Sequence, residues 1–591
     1  MKMTSRKLLY ALITILSLLL AGWLINDAQF VQAQVERVQR ALQSSLGNSF
    51  SYQGYLDDGG NPANGSYDFE FALFDAASGG NQIGSTQAET LIVSDGVFMV
   101  ELNSGNEFGT NVFDGSDLYL ELKIWDTGSS SFVTLTPRQA LTAVPYAHFA
   151  KKVEPLDNVV NVAKSGGDFT TITDALNAIT DASDANPYII RVAPGVYEET
   201  VDLKSHVDIE GSGEQTTIIR SIGGGSLSPT SGSSATMRAS GNIVAEVRFL
   251  TVESDSTDNA VAIWTKSIPS ASLKFTHVTA KATTSGHTSV GILNYESSPT
   301  LEHVTVSAHG AATLSYGLFN YRLSAPNVQN STFSATSSNQ SYGIENEDQS
   351  APVLTNVTAI GFGGAYPYGV AVSDASATMT NVEIRAFDGS GDNIGLSTSN
   401  ATVVVKNANI HASGGDTTKG LSSFDSIIKA SDAIFSGTNG TDINQGIFTA
   451  STTELDLMNV QTSASGGTYS RGLNISSATT GNITNVIATA LNGTYGYGIL
   501  NHGSINLSNV TASATGATWN YGLYNNGSTG SQTVNIDGSQ FSGSTNAVRN
   551  SPIFTTNIGA SKLDGSANNV GTLVCIASYD STYTALNSSC Q

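Results

Sequence analysis

Five tyrosines recur at one position of a repeated phrase, and aromatic rings at such regular spacing can bind the rings of sugars. They are Tyr316, Tyr342, Tyr368, Tyr497 and Tyr521, and the repeats between them carry Ile394, Lys419, Gln445 and Arg471 at the same position. The alternative is that the rings stack on one another as part of a scaffold. We favour the alternative, because a catalytic residue is not needed in every repeat, whereas a stacked ladder of side chains is built from one residue per repeat. Tyr316 also has the same strand parity as Leu318, which is expected in the core.

The sequence contains no pattern typical of a catalytic site or a metal site. Its eight histidines form no HExxH motif, and no GxSxG motif is found. Two acidic stretches, DASDAN at 181–186 and DGSGDN at 388–393, are rich in oxygen donors, but neither completes a calcium-binding loop. Turn chemistry explains both stretches. We therefore predict no catalytic residue, no metal ion and no cofactor.

The tyrosines belong to a repeat whose period indicates the fold. A glycine followed by a branched aliphatic residue recurs in steps of 24 to 26 residues, beginning at Gly291 and ending at Gly522. The units are rich in Thr, Val, Ser and Asn and show no 3.6-residue period, which excludes helical repeats. A propeller blade needs roughly 40–50 residues, so a repeat of this length is too short to form one. The period therefore predicts an all-β fold, a long right-handed parallel β-helix with about 26 residues per coil.

Stacking the coils predicts columns of equivalent residues. The aliphatic residue after each glycine is expected inside, in a ladder of Leu318, Ile344, Val370, Leu396, Leu421, Ile447, Leu473, Ile499 and Leu523. A recurring asparagine is expected at one turn, in the left-handed conformation that asparagine adopts at low cost. These asparagines are Asn330, Asn356, Asn381, Asn407, Asn459, Asn485 and Asn509, and we expect their amides to form a buried hydrogen-bonded ladder. A second set that we expect to stack is Asn294, Asn320, Asn346, Asn501 and Asn525.

Local composition divides the chain into five segments. We expect a signal peptide at 1–33, a short helical stalk at 34–48, a small antiparallel β-sandwich-like module at 49–150, the β-helix with an N-terminal capping helix at 151–570, and a C-terminal tail at 571–591. In the module, YDFEFALFD and DLYLELKIW alternate between apolar and polar residues, which indicates half-buried strands. Cys575 and Cys590 are the only cysteines, and such a pair in an exported chain is expected to form a disulfide.

The first 33 residues indicate export. Lys2, Arg6 and Lys7 precede an apolar run at 8–25, and Val31-Gln32-Ala33 offers a cleavage site. We therefore expect a secreted or cell-surface protein. The alternative is an uncleaved segment that anchors the protein, because 18 apolar residues are just enough to span a bilayer.

The charge balance narrows the range of partners. The formal net charge is −23, and only 13% of the residues are charged. Long-range repulsion therefore disfavours nucleic acid and anionic membranes as partners. It also disfavours highly acidic polysaccharides unless a bound cation mediates the contact. The oligomeric state stays open.

Two segments resemble the start of pectin methylesterases, VAKSGGDFTTITDALNAI (162–179) and YIIRVAPGVYEETVDLKSHVDIEGSGEQTTII (188–219). The resemblance continues weakly to about residue 320. It implies membership of the pectate-lyase-like superfamily of parallel β-helices. It also implies removal of methyl esters from pectin by two Asp carboxylates, assisted by Gln and Arg. Segment 49–150 resembles a β-module that recurs near the N-termini of exported bacterial proteins, which implies surface display and no reaction.

The catalytic residues implied by this resemblance are missing. Asn259 stands where the family has its first Gln, and Thr288 and Ser289 stand where it has the second Gln and the first Asp. Thr313 stands where it has the second Asp, and no Gly-Arg-Pro-Trp segment follows. A reaction that needs one carboxylate as nucleophile and another as acid and base would lack both. The resemblance therefore supports the scaffold and argues against the activity.

The sequence as a whole predicts an exported or surface-displayed β-helix that acts as a non-catalytic binding or adhesion scaffold. A polysaccharide or a cell-surface glycan is the candidate ligand, with the five tyrosines as candidate contacts. The alternative is a carbohydrate-active enzyme, a pectinesterase-like esterase or a polysaccharide lyase. Such an enzyme would place carboxylates and basic residues together on one outer face, and the repeats show no such cluster in sequence.

Overall fold

The computed structural model describes residues 49–109, 112, 117–126, 130–141, 158–222, 230–232, 235–528 and 530–591. The predicted signal peptide (1–33) and stalk (34–48) lie outside the described residues. The chain divides into two compact units, Met1–Pro155 and Leu156–Gln591. The finer segment boundaries given above remain predictions.

The N-terminal unit consists of small antiparallel sheets. Its described residues form a four-stranded sheet with the order Gln82–Val93, Gly65–Phe74, Tyr119–Asp126, Ser131–Ala140. They also form the strand pairs Phe50–Tyr55 with Val97–Leu102 and Asp57–Asp58 with Asn61–Pro62. The alternation in the sequence is present in the structure, because Phe69, Phe71 and Leu73 are buried on one strand and Leu120 and Leu122 on the next. This unit is therefore half-buried antiparallel β-structure, as its period of two predicts.

The second unit is a parallel β-helix, as predicted. Within the described residues, one face is a sheet of fifteen parallel strands, which we call the front sheet. Its strands are Val201–Asp202, Ala235–Ser240, Asn259–Lys266, Thr288–Tyr295, Leu314–Tyr321, Gln340–Glu347, Tyr366–Ser373, Asp392–Ser399, Thr417–Phe424, Ile443–Ala450, Tyr469–Ile475, Tyr495–Asn501, Trp519–Asn525, Asn546–Asn550 and Ala567–Asn569. Each strand pairs in register with its equivalent one coil later, so Tyr316 lies beside Tyr342 and Leu318 beside Ile344.

The other two faces are built in the same way from the remaining strands of the coil. The second face contains Val159–Val162, Tyr188–Val192, Val207–Gly211, Thr300–Glu302, Asn327–Gln329, Val353–Thr355, Ile427–Ser431, Glu454–Met458, Asn482–Thr484, Ile505–Ser508, Gln532–Asp537, Phe554–Gly559 and Thr572–Ile576. The third face contains Gly195–Glu198, Thr217–Ile222, Thr305–Ala311, Thr332–Ser337, Thr358–Phe362, Ile434–Thr438, Gln461–Ser465, Ile487–Leu491, Thr511–Thr515, Gln540–Gly543, Lys562–Asp564 and Tyr579–Asp580. Four long strands continue from the second face into the third: Ala245–Ser256, Leu273–Thr284, Ser376–Phe387 and Thr402–Ser413.

The aliphatic ladder lies in the core, where the sequence places it. All nine predicted members, from Leu318 to Leu523, have no exposed surface. The glycine before each member allows two walls of the coil to approach each other. A Cβ atom on Gly343 would lie 2.5 Å from the backbone nitrogen of Ile360 and 2.5 Å from the carbonyl oxygen of Gly369. Both distances are shorter than side chains tolerate, so the repeat requires glycine at this position.

The recurring asparagines form an exposed column, not a buried one. All of the predicted members adopt positive φ angles between 51° and 56°. Their side chains bond from coil to coil: the Asn356 amide donates to Asn330 Oδ1 at 2.9 Å, and the Asn381 amide donates to Asn356 Oδ1 at 3.0 Å. These side chains are exposed to solvent, so the expectation of burial is wrong. The turn projects from the coil, and the backbone conformation explains the choice of residue.

The second set of asparagines is fully buried. Asn294 donates to Asn320 Oδ1, and Asn320 donates to Asn346 Oδ1, each at 2.8 Å. A second run links Asn501 to Asn525 at 2.9 Å. Because each amide provides both a donor and an acceptor, the members of the stack satisfy one another's polar groups inside the coil.

Both ends of the β-helix carry a closing segment. At the first coils, helix α1 (Ile172–Ala178) begins after Thr171, whose hydroxyl accepts a hydrogen bond from the Asp174 amide, and its buried residues join the core. The Glu199 carboxylate accepts bonds from the backbone amides of Ile172 and Thr173 at 2.9 and 2.8 Å. At the last coil, Cys575 and Cys590 form the predicted disulfide, and the Cys575 amide donates to the Ser588 carbonyl at 3.0 Å.

Candidate functional site

The front sheet brings the five predicted tyrosines together as two stacks. The Tyr316 and Tyr342 ring centroids are 5.1 Å apart, and those of Tyr342 and Tyr368 are 4.7 Å apart with planes 5° from parallel. Tyr497 and Tyr521 form the second stack at 5.3 Å. The coil spacing of parallel strands, about 4.8 Å, sets these distances.

These tyrosines point outward, so the expectation that Tyr316 shares the face of Leu318 is wrong. The Tyr316 ring stacks on Phe319 at 4.7 Å, and both belong to a cluster that is separate from the core. The strands are irregular at the repeated glycine: the paired register omits Gly317, and a Cβ on it would contact Phe333 inside the coil. Two successive residues, Gly317 and Leu318, therefore face inward, and counting by parity fails across them.

Stacking covers the ring faces, and the two stacks differ in exposure. Tyr316, Tyr342 and Tyr368 are half-buried, whereas Tyr497 and Tyr521 are only 8% and 4% exposed. Burial raises the pKa of Tyr497 to about 12, and burial also raises the pKa of Tyr316 and of Tyr342. These phenols therefore stay protonated at neutral pH and remain hydrogen-bond donors. At the second stack, Arg549 donates to the Tyr521 hydroxyl at 3.1 Å.

Two glutamates lie beside the first stack. Glu345 and Glu347 occupy alternate, outward positions of strand Gln340–Glu347, in register with Phe319 and Tyr321 of the preceding coil. Glu345 is only 4% exposed. Burial, and to a smaller extent the charge of Glu347, raises the pKa of Glu345 well above its usual value. Burial also raises the pKa of Glu347.

Between the two stacks, the same outward column carries polar side chains. Lys419, Gln445 and Arg471 pair in register across three successive coils. Lys419 donates to Asp392 Oδ2 at 2.9 Å. The Arg471 guanidinium lies 4.9 Å from the centre of the Tyr469 ring, which stacks on Tyr495 at 5.2 Å. A carboxylate, two cations and an amide thus meet on one outer face.

Sequence reasoning missed this polar cluster, although the signal was present. The repeats that break the tyrosine column substitute Lys, Gln and Arg in three consecutive coils. In a β-helix, consecutive exceptions in one column lie side by side on the surface.

The positions aligned with pectin methylesterase catalytic residues form no comparable cluster. Ser289 is fully buried and its hydroxyl lies 2.7 Å from that of Ser315, inside the coil. Thr313 is exposed in the turn before the strand that begins at Leu314. Asn259 begins a strand and pairs with Thr288. None of these four side chains carries a carboxylate.

In the described part of the chain, no group of three or more His, Cys, Asp or Glu side chains is arranged to hold a metal ion. Among the same residues, no helix has the length and apolar character needed to cross a bilayer.

Two family models match separate parts of the chain. Residues 158–288 match the family model for pectinesterase, and residues 51–138 match a domain of unknown function (DUF8740). A probable pectinesterase/pectinesterase inhibitor 17 of Arabidopsis thaliana is 39% identical over 116 residues, which cover 18% of this chain and 21% of that protein. Pectinesterase/pectinesterase inhibitor U1 of Solanum lycopersicum is 32% identical over 113 residues, or 18% and 19% of the two chains. The chain thus spans about a fifth of the length of these curated relatives.

Solved structures were also compared. Pectin methylesterase from carrot has a TM-score of 0.24 at 16% identity and covers 52% of this chain and 83% of that one. Tailspike protein 3 of bacteriophage CBA120 has a TM-score of 0.35 at 11% identity and covers 90% and 76%. The pectinesterase match ends at residue 288, before Ser289 and Thr313. The chain therefore carries a pectinesterase-like segment at the start of a parallel β-helix that continues far beyond it.

Proposed function

We propose that this protein binds a polysaccharide along the outer face of the front sheet, without catalysing a reaction. The observation that carries the proposal is the column in which two tyrosine stacks flank Lys419, Gln445 and Arg471. Ring edges offer apolar contact to the C–H groups of a sugar, and the polar side chains offer hydrogen bonds to its hydroxyls. A column that extends over successive coils suits a chain of repeated sugar units.

The setting that we propose for this binding is the cell exterior. The N-terminal sequence, with its basic residues, apolar run and small-residue cleavage site, supports secretion or surface display. The pectinesterase-like segment supports a polysaccharide as the class of ligand. A protein outside the cell can contact the glycans on the surface of a neighbouring cell.

The test is affinity electrophoresis in gels that contain polygalacturonate, xylan or mannan. We expect the wild-type protein to be retarded in at least one gel. Tyr342→Ala and Tyr497→Ala should each weaken that retardation on the order of tenfold, equivalent to about 1.4 kcal/mol. Tyr583→Ala serves as the control, because Tyr583 is an exposed tyrosine of the C-terminal tail. Normal mobility of the wild type in every gel, confirmed on a broad glycan array, would refute the proposal.

One observation favours a second candidate function, a carbohydrate-active enzyme. Glu345 is an outward carboxyl whose pKa burial raises well above its usual value. A carboxyl that keeps its proton near neutral pH can act as a general acid. Release of new reducing ends or unsaturated products from the same polysaccharides, lost in Glu345→Gln, would establish this function in place of simple binding.

A further inference from the structure

Four buried side-chain atoms have no hydrogen-bond partner among the residues that the structure describes: Ser254 Oγ, Asn393 Oδ1, Gln445 Oε1 and Arg471 Nε. The last two belong to residues that pair in register on adjacent strands of the front sheet. Gln445 is 3% exposed. Its neighbour Lys419 differs, because the Lys419 ammonium is paired with Asp392. Buried acceptors and donors in native proteins are almost always paired, so this adjacent pair requires an explanation.

Arg471 also lacks a partner for its charge. Burial lowers the pKa of Arg471, and electrostatic interactions with Tyr497, Tyr469 and Asp442 oppose this effect to a smaller extent. Within the described residues, Arg471 makes no ion pair with a carboxylate. A buried guanidinium usually has such a partner, because the charge is costly to remove from water.

The two atoms are complementary to a hydroxyl group. Gln445 Oε1 accepts a hydrogen bond and Arg471 Nε donates one, and the two residues pair on adjacent strands about 4.8 Å apart. A hydroxyl donates and accepts at once, so one group can satisfy both atoms. The half-buried Tyr469 ring, 4.9 Å from the guanidinium, adds an aromatic side chain to the same surface.

We infer that Gln445 and Arg471 form the hydrogen-bonding centre of a subsite for one sugar residue, which donates a hydroxyl hydrogen to Gln445 Oε1 and accepts one from Arg471 Nε. This inference rests on the proposed function, because it locates one subsite of the same surface. Arg471 as a whole is half-buried, whereas its Nε and Gln445 Oε1 are buried. Binding at these two atoms therefore requires a change in the rotamer of a neighbouring side chain.

The test compares Gln445→Leu and Arg471→Met with the wild type in gels that contain xylan, a neutral chain, or polygalacturonate, an acidic one. We expect each variant to lose retardation at least tenfold in every gel that retards the wild type. Its urea midpoint should be unchanged or raised, because the variant removes an unpaired buried atom. Arg471→Lys, which keeps the charge but lacks Nε–H, should behave like Arg471→Met.

The outcomes separate this inference from the proposed function. If Tyr342→Ala abolishes retardation while Gln445→Leu and Arg471→Met leave it unchanged, the surface binds glycan but the subsite is wrong. If Arg471→Met weakens retardation only with polygalacturonate and Gln445→Leu has no effect, then Arg471 binds the acidic chain through its charge. The proposed hydrogen bonds to a hydroxyl group would then be wrong. If the wild type is retarded in no gel and binds nothing on a glycan array, both proposals fail.

Discussion

Asn356 shows how one residue type can be chosen for its backbone. Its φ angle is 55°, and its exposed amide bonds to both neighbouring coils. Residues other than Gly, Asn and Asp pay roughly 1–2 kcal/mol for this left-handed conformation. The repeated asparagine therefore stabilises the turn mainly by tolerating the conformation, with the amide ladder as a smaller addition in water.

We predict that Asn356→Leu lowers the free energy of unfolding by about 1–3 kcal/mol, as the sum of the backbone cost and the lost amide bonds. Asn356→Gly keeps the conformation and should lose about 1 kcal/mol or less. Urea unfolding followed by circular dichroism measures both. Equal losses in the two variants would mean that the amide ladder, and not the backbone, accounts for the residue.

Glu345 should make stability depend on pH. Its folded-state pKa is raised by burial, and by Glu347 to a smaller extent, above the unfolded value of about 4.3. The folded state therefore binds the proton more tightly, and its stability falls as pH rises from that value through the folded pKa. The groups around it are Tyr316, Tyr342 and Tyr368, whose own pKa values are raised.

We predict that Glu345→Gln raises the urea midpoint at pH 8 and changes it little at pH 4, because an amide cannot lose a proton. Glu454→Gln, at an exposed position, is the matched control and should follow the wild type at both values. A Glu345→Gln variant with the wild-type pH profile would contradict the burial of an uncompensated carboxyl.

Among the elements, the strands of the front sheet depend on one glycine per coil. Gly343 allows the strand to approach Ala359 and Ile360 of the third face, where an added Cβ would meet backbone atoms at 2.5 to 3.0 Å. Backbone atoms cannot rotate away as a side chain can. The close approach is therefore a fixed requirement of the coil.

We predict that Gly343→Ala destabilises the β-helix by about 1–3 kcal/mol, the usual range for overpacking. Ser373→Ala, at an outward position of the following strand, should change the free energy of unfolding by less than about 0.5 kcal/mol. Urea unfolding again provides the measurement. A neutral Gly343→Ala would show that the two walls separate easily at this point.

The same glycine explains what could and could not be predicted from the sequence. The period of the repeat was enough to predict the coils, the inward ladder at Leu318 and the left-handed turn at Asn356. Parity failed at Tyr316, because the count assumes regular alternation and Gly317 interrupts it. The exposure of the asparagine turn could not be predicted from the sequence. The regular spacing of the asparagines shows that they stack in a column, but it does not show how far that column lies from the core.

The site was less predictable than the fold. The tyrosines could be identified because they repeat, but their outward direction depends on the irregular strand. Gln445 and Arg471 differ from their neighbours by unpaired buried atoms, which the sequence does not show. Whether a polar atom has a hydrogen-bond partner depends on the residues around it in three dimensions. The sequence of a single coil does not show those residues.

For the molecule as a whole, we predict no measurable demethylation of pectin. The reaction needs two carboxylates in nucleophilic and acid–base roles, whereas the aligned Ser289 is buried within the coil and Thr313 is a lone hydroxyl. Methanol release from esterified pectin by the purified protein measures the activity, with an active pectin methylesterase as the positive control. Robust release that a single carboxylate substitution between residues 210 and 320 abolishes would overturn this prediction.

The in-register pairing of equivalent coils has a consequence for the inheritance of this chain. Each strand pairs with an equivalent strand of the coil before it and of the coil after it, as Tyr316, Tyr342 and Tyr368 illustrate. Unequal crossing-over between two copies of the repeat in the gene would remove or add a whole coil and leave every remaining strand with an equivalent neighbour. Because stability is a sum over nearest neighbours, such alleles should fold, and related chains are expected to differ in length by whole repeats.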